Sequence, residues 1–268
     1  DKPIMVVLGN PPYSVSSANK GDFIEDLMDT YKEAVRDERN IQPLSDDYIK
    51  FIRFAHDRIE RTGSGIVAMI TNNSYLTGLI HRGMREELIN SFDEIFILNL
   101  HGNAMIKNFP DGVDENVFDI RQGVAISIFI KQRRNTSEAV IKYFDLFGDR
   151  ETKYQSLNNA DLLSPDWVTL SPSDPYYFFV PKDFNFYNEY MQYESTDEIF
   201  PINSSGIKTH RDNFVFTHNY QEIIDRIHML KNLEINESFF RQKFSLNDTN
   251  NWNFEEARNS FINVQDWQ

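Results

Sequence analysis

From residue 4 to residue 131, β-branched apolar runs alternate with amphipathic stretches, which restricts the chain to a mostly parallel sheet joined by crossover helices. The predicted strands run from Ile4 to Leu8, Ile66 to Thr71, Glu94 to Leu100 and Val124 to Lys131. Between the first two, Ile24, Leu27, Met28, Tyr31, Ala34 and Val35 recur at helical spacing. So do Ile49, Ile52, Ala55 and Ile59, with Ser45 or Asp46 as an N-cap and Gly63 as the stop. A third helix is predicted from Ile80 to Ser91. The segment from Gly102 to Gln122, rich in Asn, Asp, Gly and Pro, reads as a long loop, and long loops in compact domains often carry function.

Beyond Lys131 the pattern weakens. Residues Val140 to Leu146 add one more expected strand, and Ser156 to Tyr193 has no sustained period. One helix stands out near the C-terminus: Asn219 with Glu222 forms a capping-box pattern before the stripe Ile223, Ile224, Ile227, Leu230 and Leu233. There are no internal repeats. At 268 residues the chain has room for two modest domains, expected at 1–155 and 156–268. The fold class is therefore α/β, with a smaller α+β C-terminal region.

Charge narrows the partners. With 27 Lys plus Arg against 41 Asp plus Glu, the formal net charge is -14, which argues against coating nucleic acid by bulk electrostatics alone, so any DNA contact must be local or shared with other segments. The absence of Cys excludes disulfides, thiolate zinc sites and a Cys nucleophile. No apolar run approaches the ~20 residues that cross a bilayer, and no signal-peptide pattern precedes the first strand, so the expected location is the cytoplasm.

The first strand runs directly into Gly9-Asn10-Pro11-Pro12-Tyr13. Each proline position has a background frequency of about 5%. With Asn before and Tyr after, chance supplies the string in on the order of one in a thousand chains of this length. It also stands at the carboxyl end of a strand, where open α/β sheets bind ligands. These residue types suit methylation of an sp² amine, whose lone pair is delocalised into a ring or carbonyl and is a poor nucleophile. An enzyme must accept hydrogen bonds from the NH₂ group and favour its tetrahedral form. The Asn10 side-chain oxygen and the Pro11 carbonyl are candidate acceptors, with Pro12 lacking an N–H and the double proline fixing an extended turn. Tyr13 offers a face on which a planar base can stack. The competing role for the motif is a rigid strand exit with Tyr13 in the core.

The tetrapeptide and its strand resemble the catalytic motif of S-adenosylmethionine-dependent amino-methyltransferases, in particular DNA adenine N6-methyltransferases of type IIG and type ISP-like restriction-modification enzymes. Gly65 to Asn72, Ile95 to Leu100, and Phe118 to Phe129 are similar in order and type to the segments that follow it in that family. Ser204 to Asp212 resembles a segment found past the methyltransferase core of large single-chain restriction-modification proteins. The resemblance implies a Rossmann-like sheet, mostly parallel with an antiparallel last strand. It implies catalytic roles for Asn10, Pro11, Pro12 and Tyr13, and double-stranded DNA as the partner. A second aromatic residue in the loop before the antiparallel strand would sandwich the adenine; Phe118 is the candidate by position and Phe109 the competitor.

That family binds S-adenosylmethionine through a Gly-rich loop after its first strand. The one Gly-x-Gly here, Gly63-Ser64-Gly65, ends a helix and enters a strand, the wrong context for a cofactor loop. The expectation is that the cofactor-binding half lies upstream of Asp1 and that the fragment alone is inactive, with nuclease or helicase domains elsewhere in the full-length protein. For DNA contact, Lys208, Thr209, His210 and Arg211 form a small polar-basic cluster, and Arg133 with Arg134 follows the last sheet strand.

Rival constellations are weaker. Pro110-Asp111 with Glu151-Thr152-Lys153 can be read as a nuclease pattern, but Glu151 sits in a polar stretch. The six histidines include no helical His-x-x-x-His pair, so no metal is expected, and no Gly-x-Ser-x-Gly elbow occurs. The aromatic density from Tyr176 to Tyr193 could stack bases or pack a small domain. Two other functions share the tetrapeptide or the charge balance: methylation of a protein glutamine or an RNA guanine, and a non-catalytic binding module.

Overall fold

The computed structural model describes residues 3–13, 17–106, 113–133, 138–202, 209–249, 252–262 and 264. The chain divides into two compact units, Asp1–Asn188 and Glu189–Gln268.

The first unit is built on six strands: β1 (Val6–Gly9), β2 (Gly65–Asn72), β3 (Glu94–His101), β4 (Val124–Lys131), β5 (Val140–Asp145) and β6 (Val168–Leu170). Their order across the sheet is β1-β2-β4-β3-β5-β6. Strand β1 pairs parallel with β2, and β5 parallel with β3, while β4 runs antiparallel between β2 and β3. Four strands thus share one direction, with β4 and the edge strand β6 opposed. The carboxyl ends of β1, β2, β3 and β5 form one rim of the sheet.

Helices α1 (Asp22–Lys32), α2 (Asp47–Thr62) and α3 (Arg82–Ser91) pack on one face. The spacing of Ile24, Met28 and Tyr31 on α1 and of Ile49, Ile52, Ala55 and Ile59 on α2 places one stripe of each helix in the core against Val67, Met69, Ile95, Ile97 and Phe129 of the sheet. Gly63 closes α2 in the left-handed conformation, φ 80°, as its position predicted. The other face carries α4 (Arg150–Asn159) and the loop before β4, which together bury Leu100, Val117 and Val124.

The boundary expected at 155 falls inside this unit. Strand β6 pairs with β5, Phe179 is fully buried in the same core, and the buried Arg85 guanidinium of α3 donates to the carbonyls of Tyr176 and Tyr177. Residues through Val180 therefore pack with the sheet's core. The row Tyr176, Phe178 and Phe184 stacks nearly parallel there, with Arg85 and Lys182 over the Phe178 ring.

The short helices α5 (Tyr187–Tyr190) and α6 (Thr196–Ile199) lead into the second unit's α7 (Asp212–Val215), α8 (Tyr220–Lys231), α9 (Glu237–Phe244) and α10 (Phe254–Ile262). Its core is Leu230, Phe240, Phe244, Leu246 and Phe254. Among the described residues its only β structure is the bridge between Thr249 and Trp252. Asn219 caps α8 through the Gln221 amide, but the expected capping box does not close: Glu222 pairs with Thr217 and Arg226.

Candidate functional site

Strand β1 delivers the Asn-Pro-Pro-Tyr segment to the carboxyl rim. Asn10 and Pro12 are exposed, Pro11 is buried, and Tyr13 is half-buried. The buried Pro11 ring anchors the turn, which leaves the neighbouring Asn10 amide in solvent. The Tyr13 ring packs against both the main core and the rim cluster of Leu100, Val117 and Val124. Burial pushes its phenol up to about 12, so the side chain is neutral at physiological pH.

Phe118 is half-buried and packs against the same rim cluster as Tyr13. The structure therefore places two of the aromatic residues singled out from the sequence against one apolar cluster, one from the segment that follows β1 and one from the loop before β4. Phe109, the competitor, lies outside the described residues, as do Lys208 and Arg134. An open cleft of about 620 Å³ borders the loop, lined by residues that include Gly102, Asn116, Phe118 and Arg150.

Sequence reasoning missed what braces the rim. Asn73 at the end of β2 donates to the Asn99 side-chain oxygen (3.0 Å), and Asn99 donates to the Tyr143 hydroxyl (2.9 Å). Tyr143 in turn donates to Asp145, which also holds the His101 imidazole at 2.6 Å. Polar side chains thus cross-link the carboxyl ends of β2, β3 and β5. His101 stacks on Phe147 with 3.9 Å between centroids. The only sequence signal was the excess of Asn, Asp and Tyr at strand ends, which is common in turns.

A second missed feature is the buried pair Lys153–Asp114, with both side chains at 0% exposure and Nζ 2.5 Å from Oδ1. It removes Lys153 from the nuclease pattern: the ammonium is sealed between loop and strand, while Glu151 faces Gln155 on the exposed side of α4. Pro110 and Asp111 lie outside the described residues. Among the described residues no group of three or more His, Cys, Asp or Glu could hold a metal ion, and no helix is long and apolar enough to cross a membrane.

In the second unit the Arg211 guanidinium lies over the Trp252 ring, 4.1 Å from its centroid, and donates to the His210 carbonyl. The Thr209 hydroxyl is bonded to Asp212 and accepts from the Arg211 amide, so it organises the turn into α7.

Residues 4–106 match the family described as Eco57I restriction-modification methylase, and residues 198–266 match the Type ISP C-terminal specificity domain. No curated protein matches the chain significantly. Similar solved structures include the ATP-dependent Type ISP restriction-modification enzyme LlaBIII bound to DNA, at 26% identity and TM-score 0.67 over 99% of this chain and 19% of that one. The DrdV–DNA complex, determined by cryo-electron microscopy, is 25% identical with TM-score 0.63 over 87% of this chain and 25% of that one. A nuclease-deletion mutant of the Type ISP enzyme LlaGI with a DNA substrate mimic shares the fold, at 22% identity and TM-score 0.67 over 99% of this chain and 28% of that one. The chain thus spans between 19% and 28% of the length of these three proteins. The first part of the chain, residues 4–106, is thus similar to the Eco57I type of restriction-modification methylase, and residues 198–266 are similar to the Type ISP C-terminal specificity domains.

Proposed function

We propose that the chain is the amine-holding part of a site-specific DNA methyltransferase of a restriction-modification system, acting on adenine N6. The observation that carries this is the joint placement of Asn10, exposed at the carboxyl rim, and of Tyr13 and Phe118, half-buried on one apolar cluster. An extruded adenine would lie against Tyr13, with Phe118 the second ring. The Asn10 side-chain oxygen and the Pro11 carbonyl accept the two amine N–H bonds and draw the nitrogen out of conjugation with the ring. Its lone pair is then free to take the methyl group of a sulfonium donor, whose S–CH3 electron pair stays on sulfur as a thioether while the surplus amine proton passes to solvent, and these acceptors bind the tetrahedral amine better than the planar one.

The described residues fit the acceptor side of this reaction. They do not fit the donor side, because Gly63-Ser64-Gly65 closes α2 and leads into β2, and so forms no cradle at the start of a helix. S-adenosylmethionine, the donor implied by the methylase family, is assigned to other segments of a longer polypeptide, as are the nuclease and helicase activities of a complete restriction-modification enzyme.

The match of residues 198–266 to a specificity domain, and the DNA present in the LlaBIII and DrdV structures, support double-stranded DNA as the partner over RNA or protein. Thr209 and Arg211 are assigned to DNA contact, as is Lys208 from its place in the sequence alone. Arg211 is the phosphate contact and Thr209 orders the turn that presents it.

The test is tritiated methyl transfer by the complete polypeptide into unmethylated genomic DNA, with bulk RNA and protein as competing acceptors. N6-methyladenine should be the product, and Asn10→Ala should lower the rate at least about 100-fold, the scale of losing a polar group that acts in the transition state. An Asn10→Ala enzyme of undiminished rate, or methyl groups on RNA or protein alone, rules the assignment out.

A further inference from the structure

Helix α4 has no apolar stripe and lies beside the candidate site, which raises the question of what it is for. Three of its side chains, Arg150, Lys153 and Tyr154, stand at i, i+3 and i+4 and so share one face. Between them they bond four consecutive main-chain carbonyls of the loop before β4. Lys153 Nζ donates to the Glu115 carbonyl (2.6 Å), Arg150 Nε to that of Asn116 (2.8 Å), the Tyr154 hydroxyl to that of Val117 (2.5 Å), and Arg150 Nη2 to that of Phe118 (3.1 Å).

The lock extends to the sheet. Lys153 directs its other two protons to the Leu100 carbonyl at the end of β3 (2.7 Å) and to Asp114, whose second oxygen accepts the Gly102 amide (2.6 Å). Asn116 closes the inner side, donating to the carbonyls of Gly102 and Gln122 and accepting from the Phe118 amide. Successive carbonyls of an extended segment point in different directions, so a helix face that meets four in a row fixes the path of that segment residue by residue. The residue at the end of the path is Phe118.

We propose that α4 is a positioning element for the second aromatic wall of the base site, with Lys153 as its anchor and Arg150 and Tyr154 as its adjustable contacts. This rests on the proposed methyl transfer and assigns residues outside the catalytic tetrapeptide that set its rate. None of the three touches the base. They act by holding Phe118 where the extruded ring must lie, so that the loop need not be ordered in the transition state.

The experiment is a double-mutant cycle in the complete polypeptide, read by methyl transfer from tritiated S-adenosylmethionine to unmethylated genomic DNA. Its arms are Arg150→Gln with Tyr154→Phe, Phe118→Ala, and all three substitutions together. Loss of the two adjustable contacts should lower kcat about three- to tenfold, the range expected when a hydrogen bond that preorganises a site is lost, with DNA affinity unchanged. Combining them with Phe118→Ala should cost no more than Phe118→Ala alone, because both act through the same ring. Lys153→Met serves as the stability control and should lower the thermal midpoint most, because it leaves Asp114 buried without its partner, whereas the Arg150 and Tyr154 changes should lower it less. Additive losses in the triple variant, or a fall in DNA affinity with kcat intact, overturn the positioning role. Both results are distinct from failure of the underlying function, which appears as an undiminished rate in Asn10→Ala.

Discussion

The Tyr13 hydroxyl lies 3.5 Å from the Asn10 side-chain oxygen, at the outer edge of hydrogen-bonding distance. The oxygen is therefore only weakly engaged and can accept from an incoming amine. Tyr13 contributes through its ring more than its hydroxyl: Tyr13→Phe should keep methylation within about threefold, while Tyr13→Ala should lose about 10- to 100-fold, the scale of one base–aromatic stack. Because burial holds the Tyr13 phenol at about 12, wild type and Tyr13→Phe should have superimposable pH–rate profiles up to about pH 10. A limb present only in the wild type would contradict a stacking role.

The second prediction concerns where the first unit ends. Phe179 is fully buried, its ring meets Tyr75 edge-on at 6.4 Å, and its amide donates to the Leu76 carbonyl. Phe179→Ala should destabilise this unit by about 3–5 kcal/mol, seen as a lower urea midpoint. A polypeptide ending at 188 should melt cooperatively, while one ending at 155 should not, because it lacks β6, Phe179 and the carbonyls that satisfy Arg85. Cooperative melting of the shorter piece contradicts this boundary.

These elements also show what the sequence makes legible. Strands β2 to β4 and helices α1 to α3 could be read because burial imposes a pattern on residue type, as at Ile49, Ile52, Ala55 and Ile59, and β1 by its apolar run, although Val6 and Leu8 are exposed. Helix α4 carried no such period: its inner face is Arg150, Lys153 and Tyr154, which look like a solvated turn until the carbonyls they bond are known. Strand β6 has three residues, too few for alternation to register. In the second unit α9 and α10 went unread because Phe240, Phe244 and Phe254 form a core only when brought together from separate helices. At the site, the tetrapeptide is contiguous and could be recognised, whereas the brace from Asn73 to His101 joins three strands and has no contiguous signature.

The third prediction follows from His81, which is 4% exposed. Burial first, and then the Arg85 charge, push its imidazole down to about 4, against about 6.5 in the unfolded chain. Above about pH 6.5 the ring is neutral in both states, and its ionisation adds nothing to the stability. As pH falls from about 6.5 to 4 the unfolded chain binds a proton that the folded one refuses, so stability is lost through that window, up to about 3 kcal/mol. His81→Gln should flatten this part of the stability–pH curve. An unchanged slope in urea titrations between pH 6.5 and 4 would show that the folded ring protonates normally.

Two glycines in the left-handed region allow a last comparison. Gly63 (φ 80°) has open space where a Cβ would stand, so Gly63→Ala should cost about 1 kcal/mol for the backbone conformation alone and leave methyl transfer unchanged. Gly102 has nearly the same dihedral (φ 75°), but a Cβ there would come within 2.4 Å of the Asn116 Cα and 2.8 Å of its amide nitrogen. Backbone cannot swing aside as the end of a side chain can, so Gly102→Ala must move Asn116, and with it the bonds to the Gln122 carbonyl and the Phe118 amide. The expected result is a further loss of stability of about 1–3 kcal/mol and a fall in kcat that Gly63→Ala does not show. Thermal melts and methyl-transfer rates of the two variants separate strain at a helix end from displacement of the loop that carries Phe118. Equal rates in both would mean that the position of this loop does not govern the reaction.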